Sequence, residues 1–527
     1  MKNTALLLSS ILLLGTTVAM SSEALTAQKT DEYHTSLAAL PFKNDYPTKE
    51  TASTLQKELA FQRATQTYLW SLPAVNMMAM KEGHEALMDG EGYYKLGIYE
   101  DRLKPNTVIT TPNSDVIYGL GWINMKTYGP MVIDAPEHLQ GLMDDMWHNA
   151  LVGPINKHNN QPYKGDIGLP GPDGGKGGLY LILPPGESRA DYDAEKYFIY
   201  ESSTYDVFLF LRGFFDDANN LKPTVDNMEK IKIYPLKGKP EEMKFYHLSD
   251  IKGNSLFDRD WTYFAMLDRL IQKEENSKID PYMNGMLTTL GIKKGVKFNP
   301  NDEEKKMLTN AAQTAWKMAK ELAANFDEKT SSTKPGITTF WENSYWVAHT
   351  LIKDNNMYGA LMNTEFGDLE TGHTLIDEKT HMYINHYSIS NGMFVSVVGA
   401  GAKYAGAYKD SKGEYLNGSC TYSLTLPANV PAKLFWSVTA YDATTAAGLG
   451  TNNKYPSIGD RDKPEQNKDG STTLYFGPEP VAGKAAQNYL HTPKNKGWFS
   501  LIRLYGPEKS FFDRTWQPGD FKKINCK

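Results

Sequence analysis

Residues 111–118 set unusual chemistry close together. Thr111-Pro112-Asn113-Ser114-Asp115, with Tyr118, places an amide, a carboxylate and a phenol at one turn-and-strand corner. A carboxylate among aromatic rings can have a raised pKa and act as a general acid. The same residues also suit a plain turn, in which Asn113 and Asp115 bond to nearby backbone. A second group is Asp144, Asp145, Trp147 and His148. Read as a strand, it puts Asp145 and Trp147 on one face and Asp144, Met146 and His148 on the other. Asp144 and His148 would then act together, and a metal would need a further ligand from elsewhere. The alternative is an exposed polar strand or loop.

Arg212, Arg461 and Arg503 form a third group. Arg212 ends an apolar strand on the face of Phe208 and Phe210. Arg503 lies on the face of Phe499, Leu501 and Tyr505. Arg461 follows Asp460 in a loop. Guanidinium groups so placed bind a carboxylate. It belongs to a ligand, or to Asp442, Asp460 or Asp206 in pairs that hold two sheets in register. His373, His381 and His386 are close in sequence, but a strand through 381–387 points His381 and His386 to opposite faces. No metal and no cofactor are expected. HExxH, GxSxG, CxxC and dinucleotide fingerprints do not occur. The candidate catalytic residues are Asp115, Asn113 and His148. The candidate ligand-binding residues are Tyr118, Trp147, Arg212, Trp436, Asp442, Arg461 and Arg503.

The elements that must position these groups alternate between helix and strand. Residues 55–68 read as a helix that Pro73 stops or kinks, and Val75 to Met88 as a second, with His84 a packed helix residue. Short apolar runs at 108–111, 119–123, 131–133, 179–183, 196–200 and 207–212 are divided by Pro, Gly, Asn and Asp, as in an antiparallel sandwich or barrel. Residues 257–325 return to helix. Leu308, Ala311, Ala315, Met318 and Leu322 make one stripe, and Pro300-Asn301-Asp302 starts it. Residues 327–337 read as a linker, 340–362 as helix, and about 380 onward as strands. Leu434, Trp436, Val438 and Ala440 alternate as the buried face of one strand, and Asp469-Gly470 signals a hairpin before Thr472–Phe476.

Composition bounds the class. The chain has 527 residues, 40% hydrophobic and 22% charged, and the 12% aromatic content includes 31 tyrosines. Such Tyr- and turn-rich chains lean toward β sandwiches or sugar-facing surfaces. A net charge of −6 gives no basic footprint for nucleic acid. Lys2 followed by the apolar run Ala5 to Met20 reads as a cleaved signal over 1–24, and no later segment is apolar enough for a membrane span. Only Cys420 and Cys526 are present. In an exported chain a disulfide between them is the simplest reading, and two unpaired thiols the other.

Several motifs resemble known bacterial families. TTPNSDVIYG, GGLYLILPPGE and VFLFLRGFFDDANNL resemble the domain of unknown function numbered twelve fifty-four. YKDSKGEYLNGSCTYSLTLP, AKLFWSVTAYDATT, YPSIGDRD, DGSTTLYFGPE and WFSLIRLYGP resemble its usual partner, numbered twelve fourteen. Where relatives carry a motif like YYSLQLIDAYTNNF, this chain has LMDDMWHNALVGP. The resemblance implies a mainly β protein with helical segments (α+β): two antiparallel jelly-roll or sandwich domains, with a helical N-terminal pair and a helical insert. The expected division is 45–240 for the first β domain with its leading helices, 241–362 for the helical insert and linker, and 363–527 for the second. The resemblance also implies a homo-oligomer in the periplasm or secreted. At fold level it is similar to the peptide N-glycosidase F architecture. The expected function is therefore a hydrolase acting on a glycan or glycopeptide through carboxylates, or else a non-catalytic envelope protein that is structural or binds a small-molecule or glycan ligand.

Overall fold

The computed structural model describes residues 36–105, 107–158, 160–215, 217, 219–277, 279–324, 339–348, 376–385, 398–399 and 401–526. The signal sequence, the 327–337 linker, His373 and His386 lie outside them. The chain divides after Gln62 into a short unit and a main unit, Arg63–Lys527. In the short unit a two-stranded ribbon, Phe42–Lys43 with Tyr46–Pro47, precedes the first turns of a helix.

That helix, α1, runs Lys49–Leu87 with Pro73 inside it. The sequence led us to expect a stop or kink at Pro73, yet the helix continues. Residues 74–80 are all buried, and their burial outweighs the roughly 3 kcal/mol that an interior proline costs.

The N-terminal β domain is built on two six-stranded sheets. Its strands are β1 (Lys95–Tyr99), β2 (Ile117–Asn124), β3 (Met131–Ala135), β4 (Gln140–Asp145), β5 (Val152–Asn156), β6 (Gln161–Lys164), β7 (Asp166–Gly168), β8 (Gly178–Leu183), β9 (Phe198–Glu201), β10 (Asp206–Gly213), β11 (Lys232–Pro235) and β12 (Lys244–His247). The orders are β7-β4-β10-β2-β1-β12 and β11-β3-β8-β9-β5-β6. Most pairs are antiparallel, but β8 with β9 and β12 with β1 are parallel. Ile98, Ile117, Ile123, Met143, Val207, Leu209 and Leu211 point from the first sheet into the core between the sheets.

Helices follow: α2 (Lys222–Met228), α3 (Thr262–Lys273), α4 (Pro281–Thr289), α5 (Asp302–Ala324) and α6 (Ile376–Asn385). The Asn301 side chain accepts from the Glu304 amide at 3.0 Å and the Glu304 side chain accepts from the Asn301 amide at 2.8 Å, a reciprocal cap that starts α5 as read. Its buried stripe is Leu308, Ala311, Ala312, Ala315, Ala319 and Ala323, while Met318 is exposed. The strands expected from about 380 onward do not begin there: Ile376–Asn385 is helix, with His381 packed under α5.

The C-terminal β domain has β13 (Trp346–Ala348), β14 (Ala402–Ala407), β15 (Cys420–Leu426), β16 (Ala432–Asp442), β17 (Ser457–Gly459), β18 (Thr472–Gly477), β19 (Tyr489–His491), β20 (Trp498–Pro507) and β21 (Lys522–Cys526). Two sheets, β13-β14-β20-β16-β17 and β19-β18-β15-β21, enclose a core rich in tryptophan. The helix expected over 340–362 gives way to strand at β13, because Trp346 is fully buried there and its indole donates to Gly519 O at 3.0 Å. Trp436, Val438 and Ala440 face this core as read, but Leu434 is 61% exposed. A register shift between Ala432 and Phe435 turns it outward.

The fold is α+β, with sandwich-like sheets. Cys420 and Cys526 form a disulfide between directly opposed positions of β15 and β21. The bond closes a loop of 106 residues of sequence separation. Replacing Cys526 by Ser should lower the unfolding free energy by about 2–5 kcal/mol. Urea unfolding of variant and parent, with and without reductant, measures this. An equal loss in the parent on reduction is the expected outcome.

Candidate functional site

From Phe435 to Tyr441 of β16, and along β20, both faces are buried. Alternate residues Phe435, Ser437, Thr439 and Tyr441, and Phe499, Leu501, Arg503 and Tyr505, point away from the tryptophan core, and all are buried. In register across this sheet stand Tyr404, Arg503 and Ser437. The first sheet of the N-terminal domain likewise turns a second face away from its own core. It carries Tyr118, Leu120 and Trp122 on β2, Phe208, Phe210 and Arg212 on β10, and Leu142 and Asp144 on β4. The two outer faces meet, with the loop 111–115 between them.

The C-terminal domain grips that loop by its backbone and side chains. Arg503 donates to Thr111 O at 2.9 Å and to the Tyr441 hydroxyl at 2.7 Å. The Tyr441 hydroxyl donates to Pro112 O at 2.8 Å. Asn113 Nδ2 donates to the Tyr505 hydroxyl. Arg461 donates to Asp115 O at 2.9 Å and lies 3.9 Å over the Phe435 ring. Thr111 is held at φ +39°, a region a β-branched residue enters only when its surroundings fix it there. Within the loop, Asn113 Oδ1 accepts from the Asp115 amide at 2.7 Å.

Asp115 is 1% exposed. Arg102, which sequence reasoning did not single out, donates to its Oδ1 at 3.2 Å, to Ser114 O at 2.5 Å, and to Asp462 Oδ1 at 3.2 Å. Burial pushes the Asp115 carboxyl above its ordinary range, and the Arg102 charge opposes that shift. The Ser437 side chain also favours the charged form of this carboxyl.

Arg212 differs from the other arginines. It is 7% exposed, its Nε is buried without a hydrogen-bond partner among the described residues, and its guanidinium lies 5.1 Å from the Phe210 ring. Arg503 is near enough for the two cations to repel, and Tyr118, Tyr404 and Tyr505 surround both. Burial drives the Tyr118 phenol up to about 12, with both guanidiniums opposing it. Among the described residues the Tyr404 hydroxyl and Arg503 Nε are also buried without hydrogen-bond partners. Phe210, alone on β10, is partly exposed, although it sits at the centre of a central strand.

The other candidate residues are placed elsewhere. Strand β4 ends at Asp145, so the alternation read through Trp147 and His148 does not apply; a turn follows, with His148 at φ +62°. Asp145 fastens that turn by accepting from the Trp147 and Asn149 amides at 2.8 and 2.9 Å. Trp147 packs on Trp70 of α1 at 4.9 Å, and His148 on Tyr383 of α6 at 5.0 Å. Burial lowers His148 to about 3, so it is neutral. Trp436 lies in the C-terminal core, on the opposite face from Ser437. Asp442 caps its own turn by accepting from Thr444 and Thr445 amides and pairs with Lys496 at 3.5 Å. Asp206 pairs with Lys273 at 2.6 Å and Lys81 at 3.7 Å, not with an arginine. Among the described residues no group of three metal-ligating side chains occurs.

Comparison with known proteins agrees with this division. Residues 95–235 match the family described as Protein of unknown function (DUF1254), and residues 401–509 match Protein of unknown function (DUF1214). The chain carries these two domains in tandem. Arg102, the 111–115 loop, Tyr118 and Arg212 fall in the DUF1254 match. Tyr404, Tyr441, Arg461, Asp462, Arg503 and Tyr505 fall in the DUF1214 match. No curated protein matches the chain. The crystal structure of the VPA0106 protein from Vibrio parahaemolyticus is 17% identical over 88% of this chain and 100% of that one, with a TM-score of 0.49. An uncharacterized protein from Burkholderia cenocepacia is 11% identical over 89% and 95%, with a TM-score of 0.36.

Two predictions follow from the electrostatics. Arg102→Met leaves Asp115 buried without its cation and should cost about 3–5 kcal/mol. The double variant with Asp115→Leu should recover most of that loss in chemical unfolding. The second concerns Asp166 on β7, which burial raises to about 8. The folded state keeps this proton while the unfolded chain releases it near pH 4, so stability falls as pH rises from about 4 to 8. Asp166→Asn should flatten that dependence and stabilise the protein at pH 7 by about 1–3 kcal/mol, read from melting curves across the range.

Proposed function

We propose that the protein binds a small, carboxylate-bearing ligand between its two β domains, at Arg212 and Arg503. One observation carries the reading: Arg212 is 7% exposed, its Nε is buried without a hydrogen-bond partner among the described residues, and a second cation stands beside it. A buried charge is costly unless it is paired. A planar carboxylate accepting from both arginines, with Tyr118 and Tyr404 hydroxyls beside it, would satisfy that need. The partial exposure of Phe210 supports an opening next to Arg212.

A periplasmic or secreted setting is supported by the disulfide and by the apolar run at 5–20. Among the described residues no helix is long and apolar enough to cross a membrane.

Isothermal titration of the purified mature protein with small carboxylates tests this function. Binding should weaken with salt, and Arg212→Leu should reduce affinity roughly 10- to 100-fold, the worth of a hydrogen-bonded charge of about 1.5–3 kcal/mol. The variant should fold at least as stably as the parent, because it removes an unpaired charge. Failure of every carboxylate to bind, or unchanged affinity in the variant, overturns the reading.

A second reading is favoured by the burial of the Asp115 carboxyl and its raised pKa. Here the protein is a hydrolase of an acidic glycan or glycopeptide, with Asp115 as the proton donor. Turnover that Asp115→Asn abolishes while carboxylate binding persists would support it. Absence of turnover by the parent on a broad glycoconjugate panel would reject it.

A further inference from the structure

Strand β21 forms one edge of the sheet β19-β18-β15-β21, and all of its residues, Lys522–Cys526, are exposed. Ordering a strand costs conformational entropy, which burial of apolar side chains normally offsets. Strand β21 has little of that offset, and its one large apolar residue, Ile524, is 48% exposed. Its backbone pairs with β15, and a register shift between Thr421 and Tyr422 leaves Ile524 as the extra residue of a bulge. Strand β15 does not depend on β21 in return. It sends Cys420, Tyr422, Leu424 and Leu426 into the tryptophan core and pairs with β18 from Tyr422 to Leu426 on its other side.

Side chains fasten the strand at two points. Lys523 Nζ lies 3.3 Å from Asp410 Oδ2. Asp410 is fully buried, and its Oδ1 accepts from the Lys412 and Glu414 amides at 2.9 and 3.1 Å. The other point is the disulfide from Cys526 to Cys420. Its two ends differ in access: Cys420 is 3% exposed, whereas Cys526 stands on the exposed strand. Thiol–disulfide exchange depends on which sulfur an incoming thiolate can reach, and here that is Cys526. Just before β21 the chain is anchored again. Phe521 is fully buried, and its carbonyl accepts from the Ser411 amide at 2.8 Å. A hinge at Phe521–Lys522 would therefore move β21 and leave the core in place.

We infer that Cys526 is a thiol–disulfide exchange site and that its bond to Cys420 is a redox latch on β21, opened by an external dithiol. A thiolate of the dithiol attacks Cys526 Sγ. A mixed disulfide forms there, and the electron pair of the broken bond leaves on Cys420 Sγ, which takes up a proton. The second thiolate of the dithiol then attacks its own partner sulfur in the mixed disulfide and releases Cys526, which is protonated in turn. Two cysteine thiols result, the dithiol is oxidised to its disulfide, and its two protons end on the cysteines. With the bond open, β21 turns away at the hinge and bares the backbone edge of β15 over Thr421–Ser423. Asp410, a buried carboxylate that has then lost its Lys523 partner, draws the strand back when the bond re-forms.

The test treats the full mature protein with dithiothreitol under native conditions. Trypsin should cut after Lys522 and Lys523 roughly tenfold faster or more in the reduced protein, because a paired strand must open before a protease can take it. Once the dithiothreitol is removed, iodoacetamide should modify Cys526 roughly tenfold faster than Cys420, resolved by peptide mass, because the buried thiol is shielded. Tryptophan emission should stay that of the oxidised protein. Cys526→Ser should be cut like the reduced parent with no reductant present, and if that variant folds poorly the reduced parent itself carries the test. Equal cutting with and without the bond shows that pairing alone holds β21 and overturns the latch. A shift of tryptophan emission on reduction also overturns it, since the bond then staples the whole domain. Equal modification of the two cysteines overturns Cys526 as the point of exchange.

Discussion

The structure depends on how the loop 111–115 is held. Its backbone carbonyls receive Arg503, Tyr441, Arg102 and Arg461, and its Asn113 side chain reaches Tyr505. Four of these five partners belong to the C-terminal β domain, and the loop belongs to the N-terminal one. Carbonyls buried between two sheets must be paired or they cost free energy comparable to a lost hydrogen bond. Here positive charges pair them, and charged donors make the stronger bonds. The grip also explains why Thr111 can stay at a positive φ. A strained conformation persists where its surroundings fix it from several sides.

The same constraint sets the chemistry of the interface. Sheets of β sandwiches usually show one face to the core and one to water. In this protein the central strands of both domains bury their second faces as well. Those faces could have been wholly apolar, yet they carry arginines and tyrosines. Arg461 and Arg102 are fully used in holding the loop and Asp115. Arg503 is partly used, and Arg212 Nε has no hydrogen-bond partner among the described residues. A scaffold alone gives no reason to bury Arg212, because a buried charge without a partner destabilises the fold it sits in.

Two carboxylates show how position decides character. Asp115 and Asp144 are both almost wholly buried. Asp115 faces Arg102 and anchors a network. Asp144 faces aromatic rings and a neutral imidazole, and Asp145 and Asp166 nearby push it further toward the protonated form. The first is held against a cation that opposes the effect of burial, the second lies among rings where burial and neighbouring carboxylates act in the same direction. Their sequence surroundings, both polar and both near aromatic residues, do not distinguish them.

Much of the strand pattern was readable along the chain. Runs such as 119–123, 179–183 and 207–212 are strands because apolar β-branched and aromatic residues sit between turn formers, and both are local properties. The cysteines, two in an otherwise cysteine-free chain, also announced their bond. Helix and strand are exchanged at 346–348 and at 380–385, where burial against distant segments overrides local preference. Arg503 was conspicuous by type, a charge among apolar neighbours. Its partner was not, since Thr111 lies 392 positions away. The sequence by itself determined the two β domains, their family and which residues were out of place. Only the tertiary structure decided that Arg461 and Arg503 grip one loop, that Arg102 pairs with Asp115, and that Trp436 faces a core while Ser437 beside it faces Asp115. Strand parity tells that neighbours point opposite ways. It does not tell which way is out, because that depends on what the rest of the chain packs against each face.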